Sequence, residues 1–149
     1  MSICMLIVYS AILIKVMVFK DIPPIRIGSL MINFGGTHEG PANLLPFKTI
    51  FPYLLGEKGL MIAFINLVGN IVLLVPIGFL VPFINQNMTW KKSLALAAAT
   101  GFSIEGMQAL FQVGIFDIDD IILNGLGVVL GYWIFRLLAK KASVSIKRM

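Results

Sequence analysis

The sequence predicts an all-α fold: an integral membrane bundle of four transmembrane helices, with a long extracytoplasmic loop between the first and second helices. Of the 149 residues, 58% are hydrophobic and only 13% are charged, and the mean hydropathy is +0.95. Ordinary globular chains carry about 45–50% apolar and about 25% charged residues. Both departures indicate a chain whose surface faces lipid, and we expect one membrane domain over residues 1–149.

Four apolar segments supply the predicted spans. An α-helix needs roughly 20 residues to cross about 30 Å of hydrocarbon at about 1.5 Å per residue. The predicted spans are residues 3–19, 60–83, 94–113 and 121–139, followed by a basic cytoplasmic tail at 140–149. Lys15 interrupts the first span near its end, where a lysine side chain can extend to the headgroups. Pro76 predicts a kink in the second span, not a break.

Lysine and arginine residues near the span ends predict the orientation in the membrane, because cytoplasmic loops are enriched in both. One side would hold both termini, the 84–93 turn and six basic residues: Lys91, Lys92, Lys140, Lys141, Lys147 and Arg148. The other side would hold the acidic 114–120 turn and the 20–59 loop. Both termini are therefore expected in the cytoplasm. The apolar end of the long loop, LLPFKTIFPYLL, is expected to lie on the outer membrane surface or to re-enter it.

Composition also excludes several classes of function. The net charge is +5, but the basic residues are too scattered among apolar runs to form a nucleic-acid-binding stripe. Cys4 is the single cysteine and His38 the single histidine, so neither an internal disulfide nor a histidine-pair metal site can form. Ser103 has no nearby histidine, which argues against a serine triad. The N-terminal segment lacks a basic n-region and a cleavage site, so we expect a retained helix.

Polar residues recur in the last three spans at spacings of three and four, which place them on one face of each helix. The stripes are Asn66 and Asn70 in the second span, Gly101, Glu105, Gln108 and Gln112 in the third, and Asp117, Asp120, Asn124, Gly127 and Gly131 in the fourth. Asp119 falls off its stripe. Counted at about 1.5 Å per residue, Asn66, Glu105 and Asn124 lie roughly 5 to 15 Å below the outer interface. We therefore expect one polar site that opens outwards.

Several of these residues also have a purely structural interpretation. Asn and Gln in membrane helices often only bond to neighbouring helices, and the glycine pair at 127 and 131 is typical of close helix packing. Asp117 or Asp119 would suit the N-terminal cap of the last helix. Glu105 fits a structural role least, because a buried ionised carboxylate costs several kcal/mol unless it is compensated.

The sequence does not determine which group pairs with Glu105. It could be protonated, or it could bind a cation or a loop base such as Lys48 or His38. The other candidate partners are the amides of Asn66, Asn70 and Gln108. Carboxylates together with amide oxygens suit a hard cation, so Mg²⁺ or Ca²⁺ is the candidate cofactor. Its candidate ligands are Glu105, Asp117 and Asp120, and the candidate catalytic residues are Glu105 and Asp120.

Three blocks of sequence, in the same order, resemble the VanZ-like family of small bacterial membrane proteins. The blocks are NLLPF at 43–47, NLVGN with PIGF at 66–79, and EGMQ with FDIDD and NGLG at 105–127. The family is named for a member associated with low-level teicoplanin resistance. The family pattern commonly has an arginine two residues before the first Asp, where this chain has Ile115. A role of that arginine would pass to Lys48 or to a metal.

The resemblance and the stripes together define the candidate ligand-binding residues, with the NLLPF loop over the mouth of the site. They are Asn43, Pro46, Phe47, Asn66, Asn70, Glu105, Gln108, Asp117, Asp119, Asp120 and Asn124. The resemblance implies a bacterial cell membrane protein that contacts lipid or a lipid-linked cell-wall precursor and reduces susceptibility to lipophilic glycopeptides. Two alternatives stay open: a membrane-embedded phosphohydrolase or transferase, and a small transporter. A homo-oligomer is also left open.

Overall fold

Helices dominate the structure, a computed structural model that describes residues 2–19, 25–27, 30–32, 42–57 and 59–146. The helices are α1 (Ser2–Met17), α2 (Ile50–Leu54), α3 (Leu60–Ile84), α4 (Trp90–Leu110) and α5 (Ile118–Ile146), and the strands are β1 (Ile25–Ile27) and β2 (Leu30–Ile32). The strands pair antiparallel, with Ile25 opposite Ile32. The all-α prediction is confirmed at the level of fold class. His38 lies outside the described residues.

The four long helices coincide with the four apolar segments, and their ends differ most from the predicted bounds at the start of α4 and at the end of α5. α4 begins at Trp90, because the Thr89 side chain caps it by accepting a hydrogen bond from the Lys92 amide at 3.3 Å. α5 continues to Ile146, through most of the predicted tail, since no glycine or proline occurs there to end it. Neither α2 nor the β-hairpin was predicted.

The outer surface of the helices is apolar. The segments Ala63–Ile84 and Ile118–Lys141 are long and apolar enough to cross a membrane, whereas α1 is apolar but has only 16 residues. Large hydrophobic side chains are exposed on each long helix, among them Ile7, Phe64, Phe102 and Trp133. Exposed apolar surface of this extent marks contact with lipid or with another protein.

α5 packs against both α3 and α4, and glycines bring its backbone close to that of α3. A Cβ atom added at Gly127 would lie 2.1 Å from the Ile71 carbonyl oxygen, and one added at Gly131 would lie 2.0 Å from the Val75 oxygen. These contacts run in the same direction along both helices, so α3 and α5 are parallel. α4 runs antiparallel to α5, with Gly101 against Ile121 and Ala97 against Gly125. The packing role predicted for the glycine pair is confirmed.

Alanine at Gly131 should therefore destabilise the protein by about 2–3 kcal/mol, because the added methyl group overpacks a backbone contact. Gly69→Ala is the matched control, since a Cβ atom there meets nothing within 4 Å. That control should be neutral or stabilising by about 0.5–1 kcal/mol, the usual gain for alanine over glycine within a helix. Denaturant titration of the purified protein in detergent measures both. Equal stability of the two variants would contradict this account of the interface.

The C-terminal ends of α1 and α4 lie together. The Phe19 and Phe111 rings are 5.4 Å apart, and the Gln108 amide donates to the Met17 carbonyl oxygen at 2.8 Å. Near the middle of α1, the Tyr9 hydroxyl donates to the Leu73 carbonyl oxygen at 2.6 Å, which ties α1 to α3. The bundle thus has one end where α1 and α4 finish and α3 and α5 begin.

Candidate functional site

Most of the buried polar residues gather at that end of the bundle. They are Asn43, Glu105, Gln108, Asp117, Asp119 and Asn124, and each is at most 7% exposed. The α4 and α5 stripes therefore meet, and the NLLPF loop lies against the start of α5. The described contacts divide these side chains into those that hold the loop and those that face the helices.

Asp117 caps α5 and binds the loop at the same time. Its Oδ1 accepts hydrogen bonds from the Asp119 amide at 2.9 Å and from Asn43 Nδ2 at 3.0 Å, and its Oδ2 accepts from the Thr49 hydroxyl at 2.7 Å. The first of these bonds is the usual bond of an N-cap residue. The capping role predicted for this carboxylate is confirmed, and both of its oxygens accept hydrogen bonds within the protein.

Asn43 joins the loop to α5 through its backbone as well. Its amide donates to the Phe116 carbonyl oxygen at 2.8 Å, and its own carbonyl oxygen accepts from the Ile118 amide at 3.0 Å. Its side chain also donates to the Thr49 hydroxyl at 3.0 Å. Asn43 is therefore a structural residue that starts the loop in a defined position beside α5.

Asp119 holds the other end of the loop. Its carboxylate accepts hydrogen bonds from the backbone amides of Phe47, Thr49 (2.7 Å) and Ile50 (3.1 Å), and its side chain is fully buried. These bonds explain why Asp119 falls off the stripe of α5: it faces the loop and not the neighbouring helices. Phe47 has a φ of 68°, an unfavourable backbone conformation for a residue with a Cβ atom. The bonds to Asp119 offset that cost.

Glu105 connects α4 to the start of α5. Its side chain is 1% exposed, and its Oε2 accepts a hydrogen bond from the Asp117 backbone amide at 2.9 Å. This amide was not among the predicted partners. Of those that were, Gln108 donates to α1, whereas Lys48 is exposed in the loop. Glu105 thereby links the polar face of α4 to the residue that caps α5.

Asn70 forms the α3 side of the site. Its Nδ2 donates to Asp120 Oδ1 at 3.0 Å, which joins the stripes of α3 and α5 as expected. Asn66, one turn nearer the start of α3, is exposed, as are Pro46 and Phe47 in the loop. The predicted set therefore separates into a buried interior and residues at its margin. Ile115, where the family pattern has arginine, is half-buried.

Asn124 presents a buried side-chain amide on the polar face of α5. Its side chain is fully buried, one helical turn from Asp120 on the same face of α5. Neither its Oδ1 nor its Nδ2 has a hydrogen-bond partner among the described residues. Buried amides are nearly always paired, with protein, ordered water or a ligand. Asn124 is thus the residue of this set best placed to bind a group from outside the protein.

Tyr53 is a residue of the site that the sequence analysis missed. Burial raises the pKa of its phenol above 10.0, and the negative charges of Asp120 and Asp117 raise it further. The hydroxyl therefore lies within electrostatic reach of both carboxylates. No signal in the apolar run FPYLL pointed to this role. Thr49, which bonds Asp117 and Asn43, was missed for the same reason.

The stability of the protein should fall as the pH rises above about 10, the pKa of a tyrosine in an unfolded chain. Between that value and the raised pKa of folded Tyr53, only the unfolded state loses the proton, so deprotonation favours unfolding. Tyr53→Phe removes this contribution and should show a smaller loss of melting temperature between pH 9 and 11. Identical pH profiles for the two proteins would contradict the placement of Tyr53 beside the acids.

The described residues include no group of three or more His, Cys, Asp or Glu side chains arranged to hold a metal ion. Both Asp117 oxygens already accept hydrogen bonds from the protein. Asp117 therefore fits poorly as a ligand for Mg²⁺ or Ca²⁺. Binding of either ion stays a prediction for Glu105 and Asp120, and a thermal shift on adding Mg²⁺ or Ca²⁺ would test it.

Comparison with known proteins points to one family. The family model described as VanZ/LLP1 matches residues 6–139, a range that contains all the buried polar residues of the site. No curated protein and no solved structure matches the chain. The match covers most of the chain, and it includes α1 from Leu6 onwards and most of α5. The chain belongs to the VanZ/LLP1 family.

Proposed function

We propose that this VanZ-like protein acts at the outer leaflet of the bacterial cell membrane and reduces susceptibility to lipophilic glycopeptides such as teicoplanin. In this proposal it alters access of the drug to its lipid-linked cell-wall target. The protein spans the membrane four times, with both termini in the cytoplasm and the 20–59 loop outside. The direction of the helices supports this topology, because α1 and α4 end where α3 and α5 begin.

The observation that carries the proposal is a buried polar site at one end of an apolar bundle, with Asn124 unsatisfied inside it. A lipid-linked cell-wall precursor has a polar head joined to a hydrocarbon tail. A polar site beside lipid-facing surface matches both parts of such a molecule. The basic residues at the opposite end, Lys91, Lys92 and Lys140, favour placing the site on the outer side.

Expression of the protein in a susceptible Gram-positive host should raise the inhibitory concentration of teicoplanin more than that of vancomycin. The difference is expected because teicoplanin carries a lipid tail, and the site lies next to lipid. The comparison needs immunoblots of the membrane fraction, so that each strain is known to contain the protein. Unchanged inhibitory concentrations in strains with verified membrane expression would overturn the proposal.

The second candidate function is a membrane-embedded phosphohydrolase or transferase that acts on a polyprenyl-linked or phospholipid substrate. It is favoured by the Asp120 carboxylate, one helical turn from the Asn124 amide, and by the buried Glu105 side chain at the same end of the bundle, since such groups suit acid and base catalysis or a metal. Lipid profiles of cells lacking the protein, cells with the native protein and cells with Glu105→Gln would test it. Catalysis predicts a lipid that accumulates only in the first and third strains.

A further inference from the structure

One face of the segment between Asn43 and Gly56 consists of exposed apolar side chains. We call residues 44–55 the loop segment. Its exposed side chains are Leu44 (63%), Leu45 (66%), Phe47 (50%), Phe51 (57%), Leu54 (64%) and Leu55 (72%). Lys48 is the only charged residue between positions 44 and 55. A segment of this composition would be poorly soluble if its outer face contacted water.

The contacts of the loop segment show that these side chains are directed outwards by the fold. Asp119 binds three of its backbone amides, and the Thr49 hydroxyl is bound by Asp117. Ile50 is buried and Tyr53 is half-buried, so the inward face of α2 is already occupied. The apolar outer face cannot turn inwards without breaking buried hydrogen bonds.

The loop segment continues the lipid-facing surface of the bundle. At the start of α3, Met61 and Phe64 are 52% and 66% exposed. Exposed apolar side chains also occur along α1, α4 and α5, so the apolar surface is not confined to one patch. A dimer interface would be expected as one delimited patch, whereas lipid surrounds the whole bundle. The surface therefore fits a bilayer better than a second copy of this chain.

We propose that the loop segment is embedded in the membrane interface, with its leucine and phenylalanine side chains among the acyl chains. The assignment to the outer leaflet rests on the proposed function and its topology, whereas the contact with lipid does not. The buried acids Asp117 and Asp119 then position a membrane-embedded segment directly beside the polar site. A ligand with a lipid tail would reach the site along this surface, without leaving the membrane.

Depth-dependent fluorescence quenching tests the proposal. In the full-length chain with Cys4→Ser, single cysteines replace Leu45 or Leu54, and a third variant carries Asn87→Cys in the exposed turn at the other end. Each is labelled with an environment-sensitive fluorophore and reconstituted into phosphatidylcholine and phosphatidylglycerol vesicles. At positions 45 and 54 we expect strong quenching by spin-labelled lipids and quenching by aqueous iodide several-fold weaker than at position 87.

Two outcomes would overturn the proposal. One is iodide quenching at Leu54→Cys as strong as at Asn87→Cys. The other is protection from iodide that disappears on dilution of the protein in lipid, together with cross-links between chains, which would identify a second copy as the occupant. Because the labelled side chains are exposed, unchanged melting temperatures are expected and serve as the folding control.

A further variant, combined with the quenching measurements, separates this inference from the proposed function. Leu54→Asp should reduce insertion of the loop segment and, if the proposed function holds, should also lower teicoplanin resistance. If position 54 is protected from iodide in vesicles but the expressing host shows no teicoplanin phenotype, the proposed function is contradicted and the membrane contact is established. If position 54 is open to iodide in vesicles but the expressing host shows the full phenotype, only the membrane contact of the loop segment is contradicted.

Discussion

Replacement of Asp119 by alanine is expected to destabilise the protein by about 3 to 5 kcal/mol, because three backbone amides of the loop lose the fully buried carboxylate that accepts their hydrogen bonds. The carboxylate receives the amides of Phe47, Thr49 and Ile50, and no exposed surface lets water take its place. The loop segment should lose its position, and the teicoplanin phenotype should be lost with it. Denaturant titration in detergent and proteolysis within residues 44–55 measure the two effects.

Glu57→Ala is the matched control for this variant, since Glu57 is an exposed carboxylate that closely follows α2. Its effect on the free energy of unfolding should lie within about 0.5 kcal/mol, as is usual for surface substitutions. Asp119→Asn keeps one oxygen acceptor and should fall between the two. If Asp119→Ala proves as stable as Glu57→Ala, the carboxylate does not anchor the loop as described.

Substitution of Glu105 should separate its structural contribution from its functional one. Glu105→Gln keeps an oxygen that can accept the Asp117 amide, so its stability should lie within about 1 kcal/mol of the native protein. The carboxyl group is lost, and the teicoplanin phenotype should disappear. Glu105→Leu also removes the acceptor and should cost about 2–3 kcal/mol, because a buried amide then has no partner.

The two Glu105 variants are compared by melting temperature, by membrane abundance and by inhibitory concentration in the same host. Normal abundance of Glu105→Gln without a phenotype would assign the Glu105 carboxyl group a direct role in function. A fully active Glu105→Gln would show that this residue serves only to connect α4 to the cap of α5. The proposed catalytic role would then be excluded as well.

Much of the site follows from helical spacing. The stripes at three and four residues placed Asn70, Asp120 and Glu105 at the same end of the bundle, and the glycine spacing at 127 and 131 predicted close packing. Spacing describes one helix at a time, however. It does not specify which neighbour a side chain meets, so Gln108 binds α1 and Asn66 lies exposed.

The roles of Asp117 and Asp119 show this limit most clearly. Position 119 lies off the stripe, and the sequence contains nothing to indicate that its carboxylate accepts the amides of a loop about 70 residues earlier. That contact depends on where the 42–57 segment lies in space. Tyr53 and Thr49 were missed for the same reason, because their position beside the acids depends on the same placement.

The sequence by itself determined the helical class, the apolar outer surface and the end of the bundle that holds the acids. These properties depend on composition and local periodicity, which each helix carries independently. Only the tertiary structure decided which polar groups hold the loop and which lack a hydrogen-bond partner among the described residues. That division depends on hydrogen bonds between segments far apart in the chain: Asp117 and Asp119 are used by the loop, whereas Asn124 keeps both amide atoms unsatisfied among the described residues.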